Sequence, residues 1–474
     1  MNILLLPDLL IILLAASILA IDLYRGKPQS TVSFHMSWIG LLVIFCLLII
    51  LPYDQEITYW GTYKVTGISL LFKQVFVLSS LCTVLLSAPY FKPGGNARGV
   101  LRYRSEFYFI ILLCTFGMFA VVSATGLLTL FIGMELATIP LYILSGYQKE
   151  DSLSVEAATK YIIMGSLSTG LLVFGYSFLY GCAGSLSFKA ISVFAMASPT
   201  DPLFRLGVLF VLAAIGFKLT IFPFHMWAPD VYDGAPTPVT AFISVSSKAV
   251  AIGFLLILVY GPLAPLHNYL QIILLILAGA TMTVGNLGAL KQKRLRRFMA
   301  YSSIAQAGYI IMAMAGTAAA AYSSIIYYLF VYAAANYAIF FIISIVGRNG
   351  EEEFKSLQGM GKQNPVLAAV LMLTLFSLGG IPPLAGFMGK FLLFAAAAER
   401  GFYSMVIFAA LNSTISLYYY LLLVKEAYII KPAIAPRVLV IDNIQRISLV
   451  LLTSAMVSLG LIPLFSSNIM AIVQ

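Results

Sequence analysis

Charge is what this sequence has least of. Only 10% of its 474 residues are Asp, Glu, Lys or Arg, while 61% are apolar. A soluble globular chain carries about 25% charged and about 45–50% apolar residues, so a water-soluble globule is excluded. Cysteine and histidine are scarce too. Cys46, Cys82, Cys114 and Cys182 lie singly in apolar runs, and His35, His225 and His267 are far apart. With no CxxC pair and no metal-ligand spacing, the cysteines read as small core residues. P-loop and dinucleotide fingerprints are also missing. Such a chain cannot oxidise anything alone, and any energy it uses comes from partners or an ion gradient. The alternating ten-residue pattern of an outer-membrane barrel is absent as well.

Apolar runs near the roughly 20 residues a helix needs to cross a bilayer are what the chain does have. About fourteen are counted, at roughly 3–22, 36–52, 67–88, 107–123, 126–147, 158–181, 203–228, 238–260, 268–290, 298–316, 321–346, 365–398, 402–424 and 446–465. The first begins without a basic region or a small-residue cleavage site, and so reads as a retained helix. The net charge of +10 comes from basic residues scattered over short loops. That argues for orientation by the positive-inside rule and against nucleic acid as a partner. Nineteen Lys and Arg residues, including Lys149, the Lys291–Arg297 stretch and Arg348, fall in the odd-numbered loops. Five (Lys64, Lys73, Lys189, Arg205 and Arg400) fall in or beside the even ones. The odd loops are expected in the cytoplasm and both termini on the extracytoplasmic side.

Four lysines remain, inside spans: Lys160, Lys218, Lys248 and Lys390. The stretch from Gly216 to Lys248 opens and closes on one of them and contains Pro223, His225, Trp227, Pro229, Pro236 and Pro238. Proline removes a backbone hydrogen bond and clashes with the preceding turn, so the seventh span is expected to be broken. Breaks at membrane depth survive only where protein or water re-satisfies the freed groups. The twelfth span is over-long, and its middle reads SLGGIPPLAGFMGK. Two half-helices joined by an unwound link explain both features. Lys218 and Lys390 are 172 residues apart, and the fourth and ninth spans begin near 107 and 268. Two five-helix blocks, spans four to eight and nine to thirteen, are therefore expected to enter the membrane from opposite sides. Paired broken helices in inverted repeats point to a transport site. At that offset Glu135 falls near Gln306, and Lys248 at Tyr420.

Among 18 acidic residues, only Glu135 is expected deep in a span. Asp8, Asp22, Asp151, Glu156 and the run Glu351 to Glu353 read as solvated edges or loops. An unpaired charge at the bilayer centre costs about 2.5–3.5 kcal/mol even on the lenient insertion scale, so pairing or function must justify Glu135 and the lysines. An exposed lysine holds its proton to about pH 10.4; burial weakens that hold and a neighbouring carboxylate strengthens it. A Glu135–Lys218 pair beside a movable break is thus expected to capture or release a proton as the separation changes. Lys248 would accept next, and Lys390 would serve the second half. Lys160 either snorkels to the interface or stands beside Glu135 as a secondary relay candidate. His225 is either a relay or a packing residue at the break. His35 and His267 read as interfacial, and Tyr301, Tyr418 and Tyr419 mostly as belt and core.

The segments FIGMELATIPLYIL, EAATKYIIMGSLSTG, GFKLTIFPFHMWAPDVYDGAPTPVTAFISVSSKAV, GNLGALKQKRLRRFMAYSSIAQAGY and SLGGIPPLAGFMGKFLLF occur in this order. Together they resemble the antiporter-like, proton-pumping membrane subunits of respiratory complex I, relatives of multisubunit cation/proton antiporter subunits. The resemblance covers roughly residues 107–424. It implies an all-α polytopic membrane protein with broken helices seven and twelve. The glutamate of helix five and the lysines of helices seven, eight and twelve would form the proton path; here these are Glu135, Lys218, Lys248 and Lys390. The span layout divides the chain into a three-helix segment (1–106), a first repeat (107–260), a second, inverted repeat (261–424) and a C-terminal loop and last helix (425–474). No cofactor is implied in this chain. NADH, FMN, iron–sulfur clusters and quinone would belong to partner subunits of a respiratory complex in the bacterial inner membrane. A Na⁺/H⁺ antiporter subunit, a ferredoxin- or hydrogenase-linked relative and a purely structural spacer stay open as alternatives.

Overall fold

A computed structural model describes residues 3–25, 31–92, 101–348, 352–432, 439–462 and 464–473. Lys27, Arg98, Glu351 and Arg437, counted above among the loop charges, lie outside these residues. The order begins with α1 (Leu6–Arg25), α2 (Thr31–Ile50), a hairpin of β1 (Ile57–Tyr59) and β2 (Tyr63–Val65), and α3 (Gly67–Ser87). Next come α4 (Arg104–Val122), α5 (Leu127–Ser145), α6 (Ser152–Ala183), α7 (Phe188–Ala197), α8 (Pro202–Lys218) and α9 (Trp227–Gly234). A rod follows, made of α10 (Thr237–Phe242), a wide π turn (Ile243–Ser247) and α11 (Lys248–Tyr260). The second part holds α12 (His267–Leu290), α13 (Leu295–Ala313), α14 (Ala318–Gly347), α15 (Met360–Gln363), α16 (Pro365–Gly379), α17 (Ala385–Ala398) and α18 (Tyr403–Tyr428). It closes with α19 (Asn443–Leu461) and α20 (Leu464–Val473).

Among the described residues, eleven helices are long and apolar enough to cross a membrane. The fold is that of an all-α polytopic membrane protein. Polar side chains start several helices by accepting backbone N–H groups that the first turn leaves free. Thr66 and Ser69 form a reciprocal capping box on α3, while Asp151, Ser187, Asp201 and Thr317 cap α6, α7, α8 and α14. The centre of the molecule is α14, buried along its whole apolar window; α3, α16, α17, α19 and α20 pack around it. By contrast, α5 and α6 turn Ile132, Ile139, Ile163 and Leu167 outward, as expected of helices facing lipid or another membrane chain.

Both expected breaks are present. The first lies between α8 and α9, where Thr220 takes a positive φ of 59°. Its freed groups find partners: Phe222 N donates to Thr281 Oγ1 of α12 at 3.1 Å, and the Trp227 indole donates to the Phe217 carbonyl at 3.1 Å. This is the re-satisfaction that an interrupted helix at membrane depth requires. The second break separates α16 from α17. Gly380 sits at φ +87°, a conformation that costs glycine no Cβ clash. A Cβ on Gly386 would lie 1.6 Å from the Ser377 carbonyl oxygen, so the half-helices approach where only glycine fits.

Several expectations need correction. The hairpin, α7 and α20 fall between or beyond the expected spans. Asp8 is buried rather than a solvated edge, as is Lys73, counted with the extracytoplasmic loops. Lys73 Nζ donates to both Asp8 oxygens at 2.9 Å, and Tyr63 donates a further bond to Oδ1. The pair arose undetected because each residue sits near one end of its helix, 65 positions apart in the chain. Glu352 is not a loop solvation group either. It is largely enclosed and ion-paired with the fully buried Arg296. Lastly, Lys218 ends the half-helix before its break, whereas Lys390 lies within the half-helix after the other. The 172-residue offset therefore does not align the two breaks.

The Asp8–Lys73 pair yields a stability test. Removing one partner of a buried pair costs about 3–5 kcal/mol, whereas replacing both by apolar groups is often neutral. Lys73→Met is expected to lower the thermal midpoint of the detergent-solubilised protein. The double variant Asp8→Leu with Lys73→Met is expected to recover most of the loss. Equal losses in both variants would mean that packing volume, not the buried charge, sets the penalty.

Candidate functional site

The site begins on α5. Glu135 Oε1 accepts from Lys218 Nζ at 3.3 Å and from Thr169 Oγ1 of α6 at 3.0 Å. Lys218 also donates to Thr138 Oγ1, one helical turn from Glu135, at 3.1 Å. The lysine side chain is 2% exposed and the glutamate 13%, so the carboxylate lies at the boundary of the packed interior. Because Lys218 is the last residue of α8, the chain loses helical constraint immediately beyond it. The acid–base pair thus stands where α8 ends and the break begins.

Lys248 opens α11 directly after the π turn. Its ammonium donates to Ser303 Oγ of α13, and Ser303 in turn bonds to Tyr232 OH of α9 at 3.2 Å. No carboxylate pairs with Lys248 or Lys390 among the described residues. Ser302, next to Ser303, bonds to Tyr420 OH of α18 at 2.6 Å. Gln306, one turn further along α13, donates to the same phenol at 3.3 Å and accepts from Tyr328 of α14 at 2.5 Å. Gln306 and Tyr420, the residues at or near the positions that the 172-residue offset pairs with Glu135 and Lys248, are therefore hydrogen-bonded to each other. Lys390 donates to Ser413 Oγ at 3.0 Å and to the free carbonyl of Gly379 at 3.2 Å. Its ammonium lies 4.9 Å from the centre of the Tyr309 ring. Tyr309 contacts Asn286, which also receives Tyr419.

The structure thus brings Glu135 and Lys218 into contact and places Lys248 and Lys390 among buried hydroxyls and amides. Lys160 lies elsewhere. It is half-exposed and pairs with Glu156 at 2.7 Å and Asp230 at 2.6 Å, not with Glu135. His225 is buried in the first break, with its ring beside Phe222. Among the tyrosines, Tyr418 is exposed, whereas Tyr419 is buried and hydrogen-bonded. Sequence reasoning missed Thr138, Thr169, Ser302, Ser303, Tyr328 and Ser413. A signal existed for α13: residues 302, 306 and 309 recur at helical spacing and are all polar.

Comparison with known proteins settles the lineage. The sequence profile described as NADH:quinone oxidoreductase/Mrp antiporter, TM matches residues 124–416. The chain belongs to this family. It is 40% identical over 424 residues to NADH-quinone oxidoreductase subunit N of Azobacteroides pseudotrichonymphae genomovar. CFP2, covering 88% of each chain. Its fold matches a chain of respiratory complex I from Thermus thermophilus with a TM-score of 0.81 and 30% identity, over 96% of this chain and 97% of that one. A chain of the Mrp complex from Dietzia sp. DQ12-45-1b shares the fold at a TM-score of 0.85 and 19% identity, over 100% of this chain and 97% of that one. This member of the oxidoreductase/Mrp family is a membrane-arm subunit of the complex I type, homologous to subunit N.

In this family member, the Lys248–Ser303 contact offers a local test. Ser303→Ala takes away the acceptor of a buried ammonium, which raises the penalty of keeping it charged. The thermal midpoint of the detergent-solubilised protein is expected to fall, with Ser303→Thr restoring most of it. An unchanged midpoint in the alanine variant would mean that Lys248 does not depend on this hydroxyl.

Proposed function

We propose that the chain translocates protons as a subunit of a NADH-quinone oxidoreductase, with Glu135, Lys218, Lys248 and Lys390 as the relay. One observation carries this reading. Three lysines and a carboxylate are enclosed within a membrane-type fold, and hydroxyls, amides and phenols surround them where apolar side chains would pack as well. Ionisable groups in such a position are expensive and normally mark a charge pathway. The relay is asymmetric. In the first half an ion pair holds Lys218, and lengthening it shifts the proton affinity of both partners. Neutral acceptors solvate the other two ammonium groups, Ser303 that of Lys248 in the first half, and Ser413 with the Gly379 carbonyl that of Lys390 in the second. His225 is a secondary candidate at the first break, whereas the partners of Lys160 favour a structural role for it. Quinone reduction would take place in partner subunits that hold NADH, FMN and the iron–sulfur clusters, and would drive the relay through the membrane arm.

The same reading gives the chain fourteen crossings of the bacterial inner membrane, adding α8–α9, α13 and α16–α17 to the eleven long apolar helices. It arranges them as a three-helix segment, two inverted five-helix repeats and a final helix, with both termini outside. Supporting the repeat, Arg104 and His267, Leu127 and Leu295, Ser152 and Ala318, Pro202 and Pro365, Trp227 and Ala385, and Thr237 and Tyr403 begin corresponding helices. Their separations fall between 158 and 168 residues. A Na⁺/H⁺ antiporter subunit is the second reading, favoured by the fold shared with the Mrp chain. The partners that copurify with the native chain separate the two.

Lys218→Ala decides the relay. The assembled complex is expected to keep reducing quinone but to move far fewer protons per electron, read as acidification of sealed vesicles. Charge reversal at Lys149, in a loop, is the control and is expected to change little. A normal stoichiometry in Lys218→Ala would remove that lysine from the path and overturn the relay.

A further inference from the structure

The basic stretch from Lys293 to Arg297 grips one short segment of the fold. Arg294 Nη1 donates to Asp233 Oδ2 at 2.6 Å. Arg296, buried, donates to the Ala235 carbonyl at 2.5 Å and pairs with Glu352. Arg297 Nη1 donates to Asp230 Oδ1 at 2.7 Å. The other oxygen of Asp230 accepts from Lys160 of α6 at 2.6 Å. All three arginines therefore hold α9 or the hinge residue that follows it. Orientation in the membrane needs only their charge, whereas these contacts also demand position.

An eight-residue helix has little cohesion of its own. Here α9 runs between the first break and the Ala235–Pro236 hinge, so its placement rests on side chains. Trp227 stacks on Tyr161 with ring centres 4.5 Å apart, and a Cβ on Gly234 would lie 2.3 Å from the Leu153 carbonyl oxygen. Residues two apart on a helix point in opposite directions. Asp230 accordingly meets cations at the partly exposed side, while Tyr232, fully buried, meets Ser303 and through it Lys248. Asp230 is shared between a cation on α6, in the first five-helix block, and one on α13, in the second.

We propose that Asp230 is a positioning residue, an electrostatic latch between Lys160 and Arg297 that sets α9 so that Tyr232 supports the Ser303–Lys248 contact. The latch rests on the relay reading, since its output is the environment of Lys248. It also reassigns Lys160 from proton carrier to latch partner. Asp230→Asn retains the side-chain shape but removes the charge that two cations share; Asp230→Glu retains the charge.

The test uses the purified complex containing each variant chain, reconstituted in sealed vesicles and driven by NADH and a quinone. Proton stoichiometry per electron and quinone reductase turnover are read together. Asp230→Asn is expected to lower the stoichiometry at least twofold while turnover persists, and Asp230→Glu to restore it. A packing role alone would not be rescued by the longer acid in preference to the isosteric amide. If Asp230→Asn does not assemble, Lys160→Gln and Arg297→Gln replace it: each is expected to lower the stoichiometry, and the double variant to lower it further. Normal stoichiometry in Asp230→Asn, or in both replacements and their double, overturns the latch. Lys218→Ala measured alongside separates the two ideas. A deficit there with normal Asp230→Asn defeats only the latch, whereas normal values in Lys218→Ala defeat the relay itself.

Discussion

Everything in this fold answers to the cost of placing an ammonium group where no bulk water can reach it. The chain meets that cost in three different ways. Lys73 is matched by a carboxylate that gives it both oxygens, and Lys218 by a carboxylate at longer range together with a threonine hydroxyl. Among the described residues Lys248 and Lys390 have no acid beside them and depend on serine oxygens and, for Lys390, a carbonyl freed by the broken helix. A fully compensated pair such as Asp8–Lys73 reads as a clamp joining α1 to α3. Partial compensation is what a relay needs, because small displacements then alter which group holds the charge.

The breaks and the lysines are one device rather than two. Unwinding after α8 lets the Phe217 carbonyl take up the Trp227 indole and exposes a backbone N–H, which Thr281 of α12 takes up. Unwinding after α16 leaves the Gly379 carbonyl for Lys390. In both places a backbone defect supplies polar groups that intact helices would consume internally. Movement at a break is thereby tied to the solvation of a nearby charge. The first break and the short helix after it are also tied to α12 and α13, through Thr281 and through Arg294, Arg296 and Arg297.

How far the sequence revealed this depended on how rare each signal was. Pro223, Pro382 and Pro383 with Gly380 mark both breaks, because such residues are unusual inside apolar runs. Glu135 and the deep lysines stood out in a chain with few charges. Helix spans were legible to within a few residues for the same reason. Asp8 and Lys73 were not, since a charge near a helix end looks solvated until a hairpin folds over it. Serines 302, 303 and 413 are ordinary residues in membrane helices, and only their partners distinguish them. The offset between Lys218 and Lys390 misled because it matched lysines rather than helix ends; the two residues flank their breaks on opposite sides.

The central claim is that these buried groups form a connected polar path. Direct hydrogen bonds of Lys218 end at Glu135 and Thr138, and those of Lys390 at Ser413 and Gly379, so continuity requires water between the clusters. Cryo-electron microscopy of the native assembly, at a resolution that reveals ordered water, tests this most directly. The account predicts water density linking Lys218 to Lys248 and the Gln306–Tyr420 pair to Lys390. Dry, apolar packing filling both intervals in every state captured during turnover would contradict it.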